Sequence, residues 1–61
     1  MKEIIERKIE KLRLNNDSDR EYMRLLDLNK KDDRELYDMT KEKINMRDFA
    51  IYQLEEILKE L

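Results

Sequence analysis

The 61-residue sequence predicts an all-α fold, and three observations carry the prediction. Gly and Pro are both absent, although average usage of about 7% and 5% would supply roughly seven between them, so the usual makers of tight hairpins are missing. Val is missing too and Thr occurs once, which leaves Ile as almost the whole β-branched supply, while Leu, Met, Glu, Lys and Arg, all good helix formers, abound. The apolar residues, finally, recur at helical spacing.

Residues 2–14 set Ile5, Ile9 and Leu12 at i, i+4 and i+7, a narrow stripe with Ile4 on its flank and Leu14 pointing away. Asn15, Asn16, Asp17 and Ser18 then gather four side chains that compete with helical hydrogen bonding, and Ser18 with Glu21 matches a capping box. A stop and restart is expected there. A second helix over about 19–29 would carry Tyr22, Leu25 and Leu26 on one face with Met23 at its edge. Lys30 and Lys31 suit the last turn of a helix, and Asp32 with Glu35 repeats the start signal, so a third helix is expected from about 33 to 60. Its apolar arc holds Leu36, Met39, Ala50, Ile51, Leu54, Ile57, Leu58 and Leu61, with Tyr37 at the edge.

The alternative joins residues 2–29 into one helix and gives a hairpin of two nearly equal arms turning about Lys30 to Asp32. Continuing the 4-3 spacing of Ile5, Ile9 and Leu12 then puts Asn16 and Asp19 in the seam before Met23 and Leu26 resume it. Two polar seam positions require a bend or polar partners. The arc of the last helix has a matching interruption at Lys43 and Arg47, whose stems either snorkel out or meet carboxylates such as Asp17 and Asp19.

Both parses make residues 1–61 a single helical domain, a helical hairpin or three-helix unit. So short a chain hides only about 60% of the surface its unfolded form exposes. Its 24 apolar residues must offset about 1.5 kcal/mol of ordering entropy per residue without a disulfide, so dimerisation into a helical bundle is expected, with Ala50, Leu54, Ile57, Leu58 and Leu61 as the seam.

Catalysis is excluded on composition. His is absent, removing the commonest general base and metal ligand; Cys is absent, removing thiol and thiolate chemistry. Ser18 has no imidazole to activate it, and Asp32/Asp33 and Glu55/Glu56, adjacent in sequence, point about 100° apart on a helix. Phosphate-cradling and EF-hand loops need Gly. No enzyme, cofactor or metal site is expected.

Nucleic acid is a disfavoured partner. The net charge is −2, and the one basic segment, residues 2–14 at net +2, has no dense row of phosphate-facing side chains. Lys2, Arg7 and Lys8 are instead placed to face Glu55, Glu56 and Glu60 across the arms. The same acidic end would be repelled by anionic lipid, and charge breaks every apolar run, so no membrane association or signal peptide is expected and the cytoplasm is the default location.

Apolar residues outside the core point to a protein partner. Phe49 and Tyr52, at i and i+3, project from the side opposite the apolar arc with Met46 at the border; either they form a contact patch, since aromatics and Met are enriched in interface cores, or the other segments wrap this helix and bury them. The expected function is a small regulatory, protein-binding module, of the kind viruses and plasmids encode, that masks or bridges a surface of a larger protein as a homodimer. A nucleic-acid-binding dimer and a purely structural assembly module are the alternatives.

Overall fold

A computed structural model describes residues 1–61 as two antiparallel helices, α1 (Lys2–Arg24) and α2 (Lys31–Glu60). The two-arm hairpin is therefore the correct parse, and the three-helix reading with boundaries at 14, 19, 29 and 33 is corrected. Helix α1 runs unbroken through Asn15, Asn16, Asp17 and Ser18, and Ser18 is an exposed mid-helix residue, not a cap. Glu21 pairs with Arg24 at 3.0 Å instead of closing a capping box. The helix ends at Arg24, so Leu25 to Lys30 form the turn. Lys30 and Lys31 open α2 instead of closing a preceding helix, while Asp32 and Asp33 occupy the first turn, where the helix dipole favours acids.

The turn works without Gly because no residue in it needs positive φ. Leu25 ends α1 in the right-handed region, at φ −86° and ψ −9°, and Lys30 enters α2 extended. Asp27 organises the reversal. Its side chain accepts from Asn29 N at 3.0 Å, its carbonyl from Lys30 N at 2.9 Å, and its own N–H donates to the Asp33 carboxylate at 2.8 Å.

A 4-3 repeat sets which faces meet. On α1 it runs through Ile5, Ile9, Leu12, Asn16, Asp19 and Met23 to Leu26 in the turn; these are the buried and half-buried positions of that arm. The α2 half runs through Asp33, Tyr37, Thr40, Ile44, Arg47, Ile51, Leu54 and Leu58. This spacing keeps one stripe of each helix on the other, as in an antiparallel coiled coil. The apolar core lies at the open end: Ile5, Ile9 and Ile51 are buried, with Leu12, Leu54 and Leu58 packed against them.

Of the arc expected on α2, Ala50, Ile51, Leu54 and Leu58 are buried or half-buried, whereas Leu36, Met39, Ile57 and Leu61 are exposed. Thr40 and Ile44 are buried instead, and Tyr37 is half-buried. A straight helix of 3.6 residues per turn drifts about 20° per heptad from the 3.5-residue seam. Over the length of α2 that drift turns the true seam away from the arc drawn through the C-terminal leucines.

Candidate interaction face

The middle of the seam is polar and fully partnered. Asn16 is 1% exposed; its amide N–H donates to Asp48 Oδ1 at 2.9 Å and its carbonyl accepts from Arg47 at 3.5 Å. The reverse amide orientation would set N–H against guanidinium and carbonyl against carboxylate, so the two neighbours fix the flip. Arg47 also pairs with Asp19, and both side chains are about a quarter exposed. The expected meeting of Arg47 with a carboxylate of the first arm thus occurs, through Asp19; Lys43 is exposed. Tertiary partners for Asn16 and Asp19 explain why the cluster of helix-competing residues does not interrupt α1.

The two long edges of the hairpin differ. On one, Arg13 pairs with Glu55 at 3.2 Å, and a shallow cleft is lined by Arg13, Asn16, Asp17, Arg20, Asp48 and Glu55 beside Ile51. This ion pair crosses the arms, as Arg47–Asp19 does; Lys2, Arg7 and Lys8 make none with Glu55, Glu56 or Glu60, and Glu56 pairs with Lys59 on its own helix. The other edge is largely apolar. A groove there has Leu12, Ala50 and Leu54 in its floor, Phe49 and Gln53 on one wall, and Lys8 and Lys11 on the opposite rim. Further along α2, a depression is framed by Met39, Met46, Glu42 and Lys43.

The self-association residues expected from sequence divide accordingly. Leu54 and Leu58 are already used inside the chain, packed on the Ile5–Ile9–Ile51 core, and so are largely withdrawn from any outer seam. Ala50 is half-buried in the groove, while Ile57 and Leu61 remain exposed. Met46, Phe49 and Tyr52 are exposed at 67%, 65% and 57%, which decides against their burial under another segment. They do not form one patch. Met46 and Phe49 belong to the apolar edge, whereas Tyr52 lines none of the clefts.

A longer feature lies outside the set of residues expected from sequence. Leu36, Met39, Lys43, Met46, Ala50, Gln53 and Ile57 follow each other at 3-4 spacing, a second seam beside the intramolecular one. Ile4, Lys11, Ser18 and Leu25, seven apart on α1, border the same side. The signal was present as a second heptad register, but one broad arc hid it by merging both registers.

No three Asp or Glu side chains converge into a set that could hold a metal ion, and no helix is long and apolar enough to cross a membrane. No family model matches the chain, and comparison with curated proteins and with solved structures finds no match either.

Proposed function

We propose that this chain is a helical protein-interaction module that pairs with a second copy of itself and, in that form, masks or bridges a surface of a larger protein. The observation that carries the reading is the imbalance of apolar burial. Thirteen large apolar side chains are exposed and only four apolar residues are buried, and seven of the exposed ones lie on α2 or at its C-terminal end. Isolated surface leucines mean little, whereas a continuous apolar band on a small protein marks a contact surface.

The polar edge gives no competing chemistry. Its charges are engaged with one another as Arg13–Glu55 and Arg20–Asp17, and carboxylates alternate with bases along it, a poor match to a phosphate backbone. Phe49 and Tyr52 are the side chains assigned to the larger partner, because aromatics supply the largest contact area for the least lost rotamer freedom.

Tagged-bait capture from the native host, with wild type beside Phe49→Glu/Tyr52→Glu, tests the reading. Both positions are solvent-facing, so helicity should be unchanged, and a partner held by wild type should be lost from the double variant. Captured protein should stay bound as NaCl is raised severalfold, where a nucleic-acid complex would weaken by orders of magnitude. Equal recovery by both baits contradicts the assignment.

A further inference from the structure

The second seam on α2 identifies how the copies meet. It runs along one continuous helix from Leu36 to Ile57, about 32 Å at 1.5 Å per residue and polar only at Lys43 and Gln53, and a partner that fills it must present a helix at least that long and equally straight. A second α2 is such a helix. We propose that two copies stack face to face over the side that carries this seam, about a two-fold axis perpendicular to the helices, so that the two α2 helices run antiparallel and the four helices form one bundle. The proposal rests on the reading of the chain as a protein-interaction module and assigns its first partner.

Register follows from size and polarity. A dyad level with residue 48 sets Met46 of one copy against Ala50 of the other, large against small. It sets Met39 against Ile57, apolar on apolar, and Lys43 against Gln53, polar on polar, and leaves Leu36 level with the exposed Glu60 only at the outer ends. The same rotation exchanges the two ends of α1, which brings Ile4 near one end over Leu25 near the other. A parallel stacking would instead lay Met46 over the polar stretch of α1 around Asn15 and Ser18. A polar layer such as Lys43 with Gln53 within an apolar seam is a common device for fixing alignment at some cost in stability.

Area favours a second copy. The hairpin measures 47 × 14 × 10 Å between Cα extremes, so the broader outline offers roughly 650 Å² per copy, enlarged by the side chains. Two copies in contact over that whole outline would bury about 1,300 Å², within the range of specific interfaces and above most fortuitous contacts. The chain needs it. With Ile5, Ile9, Ile44 and Ile51 as its only buried apolar residues, the single hairpin has less core than a domain of this length normally requires.

The test is sedimentation equilibrium together with a distance measurement. Wild type should sediment as a dimer at micromolar concentration, and Met46→Glu should lower the association constant at least a hundredfold. Tyr52→Glu, whose side chain lies off the apolar edge, should leave it within about threefold, so that loss of the larger partner and loss of self-association separate. Because the chain has no Cys, Glu35→Cys, exposed and outside the seam, takes one spin label per copy. Thirteen residues from the dyad on each copy put the labels about 39 Å apart along the axis, whereas a parallel pair would hold them within about 25 Å. Should Met46→Glu unfold, the Glu35→Cys distance alone decides. Wild type that stays monomeric at hundreds of micromolar, or a short label distance, overturns the proposal. If a monomer still captures a protein in a Phe49/Tyr52-dependent way, self-association fails while the interaction reading stands.

Discussion

Removing Arg47 should unbalance the polar middle of the seam in a way that a second substitution repairs. The guanidinium serves two acceptors, the Asp19 carboxylate and Asn16 Oδ1. Arg47 and Asp19 are 25% and 27% exposed, so the pair is only partly screened by water and lies above the range of fully exposed ion pairs. Arg47→Met keeps the stem that packs in the seam but leaves a half-buried carboxylate and a buried amide oxygen unpartnered. Charge-assisted hydrogen bonds contribute about 1.5–3 kcal/mol, and a stranded acceptor costs about as much, so the expected loss is about 2–3 kcal/mol. Asp19→Leu should cost about 1–2 kcal/mol, because Arg47 retains Asn16 and reaches water. The double variant removes the stranded carboxylate, leaves only the Asn16 carbonyl without its donor, and should lose less than Arg47→Met alone, since replacing a whole buried ion pair by hydrophobic residues is often neutral. A coupling of about 1.5 kcal/mol or more is thus expected. Urea unfolding followed by far-UV circular dichroism, at one fixed protein concentration, reads it. With a slope of about 1 kcal/mol/M for so small a chain, Arg47→Met should lower the midpoint by about 2 M. Additivity of the two single changes to within about 0.3 kcal/mol would refute the pairing as an energetic unit.

Three further outcomes follow from the same structure. Ser18→Ala should be neutral or stabilise by a few tenths of a kcal/mol, because Ser18 is mid-helix where Ala is preferred; a loss of about 1 kcal/mol in the same urea assay would mean that it caps a separate helix. Ile51→Ala, in the middle of the only apolar cluster, should cost about 3 kcal/mol and leave little folded protein by circular dichroism. Arg13→Ala should change stability by less than about 0.5 kcal/mol, and less still at 1 M NaCl, since its pair with Glu55 is 59% and 47% exposed.

How much was legible in the sequence depended on which force decided each element. Helical class and the reversal near residue 30 are local matters, and composition and acidic start signals displayed them. The continuity of α1 is not local. Asn15 to Ser18 read as a break by propensity, and only Asp48 and Arg47, some thirty residues away, override that local preference by supplying the buried Asn16 with partners. The clue lay in the 4-3 spacing, which ran through Asn16 and Asp19 to Met23 and Leu26 and demanded polar partners; Arg47 stood in the opposite arm as one. On α2 the seam through Tyr37, Thr40 and Ile44 was missed because a single Thr and a lone Ile between charged residues carry weak apolar signal, while Leu36 and Met39 carry a strong one. Those stronger residues belong to the second seam. Exposure of Phe49 and Met46 was one of two readings that the sequence left open, and the leucine-rich stripe of the second half of α2 could serve either the hairpin's own core or an outer contact; Leu54 and Leu58 serve the core.

Whether the apolar edge of α2 is a contact surface or bare exterior is measured most directly by methyl NMR with a soluble paramagnetic agent, which needs no substitution. Met39 and Met46 are exposed in the single chain, as is Leu14 on the far side of α1. At high protein concentration the Met39 and Met46 methyls should be shielded several-fold relative to Leu14, and dilution should return them to its level. Relaxation of all three to the same extent at every concentration would contradict a contact surface on that edge.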